Sequence, residues 1–235
     1  MKARASSAEP KGAGRYPEPP VGGTTLIVNE IYESIQGEGP GQGFPVVIVR
    51  LAGCNFRCSY CDSAFAFFEG QRMDLGRLLD RAGKFKASRV LVTGGEPMVQ
   101  SGTPALCEAL IERGKSVSIE TNGSFALDAL AREVVKVVDV KLPESGFEGS
   151  FNPAVLSGLN GKDVLKFVCA SRKDYEYARS FMAEASGKLS AQIFFMPVWN
   201  RLDPAELATW ILEDGLEARI QLQLHKIIWG DARGV

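Results

Sequence analysis

The chain has 235 residues, enough for one ordinary domain to bury a core without disulfides or metal staples. Its 45% hydrophobic and 23% charged residues are typical of a globular protein in water, and a formal charge of -1 excludes the highly basic proteins that wrap nucleic acid. No apolar run approaches the ~18 residues of a membrane helix, and residues 1–23 lack the apolar stretch of a secretory signal. We therefore expect a cytoplasmic protein with no nucleic-acid or membrane partner.

Residues 1–23 mix Pro, Gly, Ala, Ser and charged residues, with almost nothing to bury. This composition predicts a disordered tail. A targeting peptide fits poorly, because Glu9, Glu18 and several prolines interrupt the stretch. We expect the folded domain to span residues 24–235.

Beyond the tail, strand and helix patterns alternate. Strands are predicted, in chain order, at 25–34, 45–53, 89–95, 116–120, 137–140, 164–170, 191–198 and 219–229. Helices are predicted at 73–85, 105–113, 125–134, 175–185 and 206–214. We expect Thr103 to be the N-cap of the second helix, Ser171 of the fourth and Asp203 of the fifth.

This rhythm of strands separated by helices indicates βα units and a mainly parallel sheet. About six to eight such units without a dinucleotide fingerprint favour a partial (β/α) barrel of the TIM type over a Rossmann sheet. In barrels of this kind the chemistry lies at the carboxyl ends of the strands, so we expect the functional residues there.

The most informative segment is Cys54-Asn-Phe-Arg-Cys58-Ser-Tyr-Cys61, which directly follows the second predicted strand. Thiolates suit zinc or iron–sulfur chemistry, and three ligands would leave one iron of a [4Fe–4S] cluster open. Two alternatives remain: a structural zinc with His225 as fourth ligand, and three ordinary buried thiols. The other two cysteines, Cys107 and Cys169, lie in apolar patterns and are predicted to be core residues.

The cysteine spacing, with an aromatic residue before the last cysteine, resembles the signature of the radical S-adenosylmethionine (SAM) superfamily. The resemblance implies a [4Fe–4S] cluster on Cys54, Cys58 and Cys61, with SAM chelated to its open iron. It also places Tyr60 against the adenine and Asp62 beside it.

Further segments at predicted strand ends agree with that resemblance. By the same likeness, SAM contacts are assigned at Cys61, Gly94, Gly95, Glu96, Glu120, Asn122, Asp139, Val140 and Lys141. Each segment has a plainer alternative, such as a tight βα turn at 93–97 or an Asn-Gly turn at 122–123. Many relatives carry Ser-Pro-Lys at 139–141, where this chain has Asp-Val-Lys.

The flanking segments narrow the resemblance. Ile35-Gln-Gly-Glu-Gly39, Asp62-Ser63, and the closing Gln221-Leu-Gln-Leu-His225 are similar to the 7-carboxy-7-deazaguanine synthase (QueE) family over residues 29–235. That family catalyses a radical ring contraction of 6-carboxy-5,6,7,8-tetrahydropterin to 7-carboxy-7-deazaguanine, in queuosine and 7-deazapurine biosynthesis. The lyase reaction expels ammonia and depends on Mg²⁺. The likeness also implies a homodimer and an external one-electron reductant of the flavodoxin type.

A carboxylated pterin needs a fixed cation and a hydrogen-bonding edge. Arg50 offers a two-pronged donor for the carboxylate, and Glu38 can accept from ring N–H groups. The plainer alternatives are a surface ion pair for Arg50 and a solvated loop charge for Glu38. The family resemblance assigns the substrate to Ile35, Gln36, Gly37, Glu38, Arg50, Thr93, His225 and Val235, and assigns Mg²⁺ to Ser63.

On a predicted strand, Gln221, Gln223 and His225 would share one face, and such a polar face would suit the barrel interior. A lone histidine is more often a satisfied core residue than a ligand. Two other functions stay open at this point. One is a different radical SAM enzyme, such as an activase or another heterocycle-modifying enzyme, and the other is a zinc-stabilised binding module without catalysis.

Overall fold

The protein is described by a computed structural model over residues 24–187 and 190–235. The predicted tail at 1–23 lies outside the described residues. Nine strands form one sheet, and their bounds are β1 Thr25–Ile35, β2 Pro45–Leu51, β3 Gln71–Asp74, β4 Arg89–Gly94, β5 Ser116–Thr121, β6 Val135–Asp139, β7 Val164–Cys169, β8 Gln192–Pro197 and β9 Arg219–Ile220. The α-helices are α1 Leu75–Ala82, α2 Thr103–Glu112, α3 Arg172–Glu184, α4 Pro204–Glu213 and α5 Leu224–Trp229.

The strand order is β3-β1-β2-β4-β5-β6-β7-β8-β9. Strand β1 runs antiparallel to β2 and β3, and every pair from β2–β4 to β8–β9 is parallel. The sheet is open between β3 and β9, which confirms the predicted partial barrel. Because β2 and β4 to β8 are parallel, their carboxyl ends meet at one rim.

One face of the sheet packs in the main core, and the other faces the inside of the partial barrel. In β7 all six residues are buried, and Leu165, Phe167 and Cys169 join the main core, which includes residues of α1 to α4. The alternate residues Val164 and Val168 belong to smaller apolar clusters. Since successive side chains of a strand point to opposite faces, Lys166 lies on the face away from the main core, towards the inside of the partial barrel.

The predicted helix at 125–134 is wrong. The segment contains turns, with the Leu130 amide donating to the Leu127 carbonyl and the Val134 amide to the Ala131 carbonyl. Leu127 and Leu130 are buried all the same. Apolar residues three apart satisfy a turn as well as a helix, and this is why the pattern was misleading.

The predicted strand at 219–229 is wrong beyond its first two residues. Only Arg219 and Ile220 pair with β8, and the chain then leaves the sheet to form α5. The loop between β1 and β2 binds it instead: the Gln221 side chain accepts from the Gly39 amide at 2.7 Å and donates to its carbonyl at 3.0 Å. The shared face predicted for Gln221, Gln223 and His225 therefore does not exist as a strand face.

The helix caps are mostly as predicted. Ser171 accepts from the Asp174 amide and Asp203 from the Ala205 amide. Thr103 is not a cap, because α2 begins at Thr103 itself after Gly102, and its hydroxyl donates to the Pro97 carbonyl at 2.6 Å. None of the helices in the described part of the chain has the length and apolar character that a membrane span requires.

Two glycines bring the end of β4 against the backbone that leads into the cysteine loop. A Cβ at Gly94, where φ is +150°, would lie 2.0 Å from the Leu51 carbonyl oxygen. A Cβ at Gly95 would lie 2.2 Å from the Gly53 carbonyl oxygen and 2.7 Å from Cβ of Cys54. Because backbone cannot yield as a side chain can, only glycine fits at both positions.

We predict that Gly95→Ala lowers the free energy of unfolding by about 3 kcal/mol, because the new methyl group must displace the Gly53 backbone. Urea denaturation measures this change. The matched control is Gly158→Ala, where nothing lies within 4 Å of the added carbon, and we expect a change within about 0.5 kcal/mol. Equal stability of both variants would contradict the packing argument.

Candidate active site

A cavity of about 530 Å³ opens at the carboxyl rim of the sheet. Its wall includes a residue at or near the end of each of five neighbouring strands, β2 and β4 to β7: Arg50, Thr93, Glu120, Asp139 and Val168. The cysteine loop and the C-terminal segment complete the wall. This is the rim at which the sequence predicted the chemistry.

Cys54, Cys58 and Cys61 are free, half-buried and all on the cavity wall. A ring contact also supports the loop, since Phe56 stacks on Phe147 with ring centroids 4.6 Å apart. Burial raises the pKa of all three thiols, that of Cys58 to about 11. A metal that binds these thiols displaces their protons, and three thiolate ligands on one wall fit an iron–sulfur core.

The geometry does not support the zinc alternative. Among the described residues, the metal-ligand atoms found within 4.8 Å of one another belong to Glu38, Asp62 and His225. No such group joins His225 with the cysteines in the described ranges, as a tetrahedral Cys₃His zinc would require.

The segment after β4 divides into two parts. Gly94 and Gly95 line the cavity, whereas the Glu96 side chain does not. The Glu96 carboxylate is fully buried and accepts from the Met98 amide at 2.9 Å, the Thr121 hydroxyl at 2.8 Å and the Asn122 amide at 2.6 Å. Glu96 therefore holds the ends of β4 and β5 together. Of the other residues assigned to SAM, Val140 is also buried outside the wall.

Asp139 and Lys141 line the cavity near the cysteines. The Lys141 ammonium lies 2.9 Å from Oδ2 of Asp139. Oδ1 of Asp139 is buried and finds no hydrogen-bond partner among the described residues. Since a buried acceptor is costly without a donor, this oxygen fits a ligand that offers a hydroxyl or an N–H group, as SAM does.

The remaining residues assigned to SAM lie on the same wall. The Tyr60 hydroxyl donates to the Val168 carbonyl at 3.2 Å, which holds its ring against β7. Asn122 donates to the Asn55 side chain at 2.8 Å and so contacts the cysteine loop. Glu120 instead accepts from the Thr93 hydroxyl at 3.1 Å, so a residue assigned to SAM meets one assigned to the substrate.

Glu38 reaches the cavity from the loop between β1 and β2. Its carboxylate lies 2.7 Å from the Lys166 ammonium and accepts from the Gln223 amide at 2.9 Å. Burial alone would raise the pKa of Glu38, but the Lys166 charge and hydrogen bond, with Gln223, lower it to about 2. The plainer alternative of a solvated loop charge is therefore wrong. Gln36 does not line the cavity, because its buried side chain donates to the Glu38 carbonyl within the loop.

Arg50 is held from three sides. Its guanidinium donates to Glu30 at 2.7 Å, to the Tyr32 hydroxyl at 3.3 Å and to the Ser63 hydroxyl at 3.3 Å. Burial opposes its charge, but Tyr32 and Glu30 outweigh that effect and raise the pKa of Arg50, which therefore stays a cation. The plainer alternative, a surface ion pair, is half right: Arg50 pairs with Glu30, but the pair is largely buried and lies on the cavity wall.

Ser63 and its neighbour Asp62 place two oxygen atoms 3.1 Å apart at the cavity. A hydroxyl and a carboxylate are hard donors of the kind Mg²⁺ prefers, and the pair leaves most coordination positions to a substrate or water. The donor set thus fits the magnesium that the family resemblance implies.

His225 lies on α5 and faces the loop between β1 and β2. A Cβ at Gly37 would be 2.0 Å from its Nδ1, so Gly37 makes room for the ring. Ile35, Gly37 and His225 line the cavity together.

The C-terminal segment covers one side of the cavity, and Val235 lines it. The Ser34 hydroxyl donates to the Val235 carbonyl oxygen. Arg233 lies over the Phe65 ring at 3.6 Å and forms ion pairs with Glu30 at 3.4 Å and Glu69 at 3.1 Å.

The sequence reasoning missed Lys166, Glu30 and Tyr32, which all line the cavity, and it placed Gln223 on an inward strand face without assigning it to the site. Lys166 had a usable signal, because it is the one charged residue in the apolar run Val-Leu-Lys-Phe-Val-Cys at 164–169. A charge in a fully buried strand needs a partner. Glu30 and Tyr32 had no such signal, since they alternate in an ordinary amphipathic strand.

Comparison with known proteins agrees with this geometry. The model of the radical SAM superfamily matches residues 48–211, and the chain belongs to that superfamily. The 7-carboxy-7-deazaguanine synthase of Chlorobaculum tepidum is 42% identical over 89% of this chain and 97% of its own, and that of Koribacter versatilis is 38% identical over 87% and 97%. Within the superfamily, the chain therefore belongs to the 7-carboxy-7-deazaguanine synthases.

A solved structure supports the fold. The crystal structure of QueE from Escherichia coli matches with a TM-score of 0.72 and 22% identity, over 86% of this chain and 95% of that one.

We predict that Glu96→Gln lowers the free energy of unfolding by about 2 kcal/mol, because an amide cannot accept from all three donors. The dissociation constant for SAM should change less than about threefold, since the side chain does not line the cavity. Urea denaturation and SAM binding measure the two effects, with exposed Glu184→Gln as the control. Unchanged stability with SAM binding weakened more than tenfold would contradict the role of Glu96 as an internal clamp.

Proposed function

We propose that this protein converts 6-carboxy-5,6,7,8-tetrahydropterin to 7-carboxy-7-deazaguanine with release of ammonia. The single observation that carries the proposal is one cavity that joins three free cysteines to the charged groups Glu38 and Arg50. A radical must form beside its substrate, and a carboxylated heterocycle needs both a fixed cation and an acceptor. Both requirements are met on one wall.

Cys54, Cys58 and Cys61 would hold a [4Fe–4S] cluster, and SAM would bind at its open iron. Together these groups supply the radical that starts the rearrangement. We assign SAM contacts to Tyr60, Asp62, the backbone of Gly94 and Gly95, Asn122, Asp139 and Lys141. The unpartnered Oδ1 of Asp139 supports its contact with the bound SAM.

The substrate would lie on the opposite side of the cavity. Arg50 stays charged and presents its guanidinium next to Ser63, so it suits the substrate carboxylate. Glu38 stays ionised and suits the N–H edge of the pterin. Ile35, Gly37, Thr93, Glu120, His225 and Val235 complete the proposed pocket. We propose Mg²⁺ at Ser63, where the Asp62 carboxylate offers a further oxygen donor.

Three further proposals concern the setting. An external one-electron carrier of the flavodoxin type would reduce the cluster. The protein would form a homodimer, for which the exposed Ile227 and Ile228 of α5 are candidate contacts. The five free cysteines suit the reducing cytoplasm. We treat residues 24–235 as one catalytic domain.

The test is anaerobic reconstitution with iron and sulfide, followed by incubation with SAM, reductant, Mg²⁺ and carboxytetrahydropterin. We expect carboxydeazaguanine by mass spectrometry from the wild type. Cys58→Ala should lose bound iron and product, whereas Cys107→Ala should keep both, because Cys107 is a core residue outside the cavity. If 5′-deoxyadenosine forms without carboxydeazaguanine, the protein catalyses a different radical SAM reaction and the proposed substrate is wrong. A colourless protein without iron would contradict the cluster.

A second prediction concerns the substrate carboxylate. Arg50→Lys should raise KM for the pterin about 100-fold, because one ammonium cannot replace a guanidinium that donates in three directions. The control is Arg113→Lys, in an exposed pair with Asp80, and its KM should be unchanged. Steady-state kinetics give both values. An unaltered KM in Arg50→Lys would show that Arg50 does not bind the substrate carboxylate.

A further inference from the structure

Lys166 is a buried cation that the proposed function does not yet use. It lies in the middle of β7 with its side chain 7% exposed, paired in register with Asp139 of β6 on one side and Phe194 of β8 on the other. Holding an ammonium there is costly unless carboxylates surround it.

Two carboxylates from distant parts of the chain form ion pairs with this ammonium. Glu38, from the loop between β1 and β2, lies at 2.7 Å, and Asp139 lies at 3.9 Å. The second oxygen of Glu38 accepts from Gln223 at 2.9 Å. With both oxygens engaged, the Glu38 carboxylate has one orientation.

The contacts continue towards the cysteine loop. Asp139 also pairs with Lys141 at 2.9 Å. Glu38, Lys166, Asp139 and Lys141 thus form a row of alternating charges along the cavity wall, which we call the charge row. Its first member lies on the proposed substrate side and its last two on the proposed SAM side.

We propose that Lys166 is a positioning residue, which aims the Glu38 carboxylate at the substrate and joins it through Asp139 to the SAM side of the cavity. The inference rests on the proposed function. The shorter contact, to Glu38, carries the larger effect, and the longer one, to Asp139, the smaller.

A second buried lysine pair in the same sheet provides a matched control. Lys136 of β6 lies 3.8 Å from Asp163, and both side chains are at most 5% exposed. Neither residue lines the cavity. Lys136→Met should therefore destabilise the protein without altering ligand binding.

The experiment compares Lys166→Met, Glu38→Gln, the double variant and Lys136→Met in the reconstituted enzyme. We expect Lys166→Met to raise KM for carboxytetrahydropterin about 50-fold with kcat within about threefold, because substrate binding loses an oriented acceptor. In the Glu38→Gln background the same change should raise KM less than about threefold, since Lys166 acts through Glu38.

A separate measurement, of SAM binding, tests the contact between Lys166 and Asp139. The dissociation constant for SAM, read from its perturbation of the electron paramagnetic resonance spectrum of the reduced cluster, should rise about threefold to fivefold in Lys166→Met and stay unchanged in Lys136→Met. This readout needs no pterin. It therefore tests the link to Asp139 even if the wild type fails to make carboxydeazaguanine, a result that would overturn the proposed function by itself.

The inference would be overturned if Lys166→Met resembled Lys136→Met, with lower stability and unchanged KM and SAM affinity. Additive effects in the double variant would equally exclude action through Glu38. If Lys166→Met does not fold, Lys166→Gln keeps a donor without the charge, and its KM should lie between those of the wild type and Glu38→Gln.

Discussion

The whole site depends on the close approach of two backbones, the end of β4 and the segment that leads into the cysteine loop. Gly94 and Gly95 lie against the carbonyls of Leu51 and Gly53, and hydrogen bonds from the Gly95 and Glu96 amides close the contact. This contact anchors the start of the cysteine loop at the rim. Without it, the three thiols would not share a wall with the strand ends.

The second organising feature is the balance of charge inside the partial barrel. Burial makes every charge costly, and three cations on the wall each form an ion pair with a carboxylate. Arg50 meets Glu30, Lys166 meets Glu38, and Lys141 meets Asp139. These pairs orient the groups that would contact ligands.

Predictions from the sequence were correct for features that depend on residues close together in the chain. The cysteine spacing, the caps at Ser171 and Asp203 and the alternation of strand and helix rest on contacts within a few residues. The predictions failed where a contact between distant segments overrides the local pattern. The stretch 219–229 looks like a strand in isolation, yet the Gln221 side chain binds Gly39, and the backbone turns away to form α5.

By itself, the sequence determined the partial barrel, the loop of three closely spaced cysteines and the rim at which the candidate site lies, because periodicity and residue spacing are local properties. Only the tertiary structure decided that Glu96 is an internal clamp and that Gln36 supports its loop from outside the cavity. It alone placed Lys166 between Glu38 and Asp139. Glu38 and Lys166 are 128 positions apart in the chain, and no local pattern encodes which carboxylate a buried ammonium will meet.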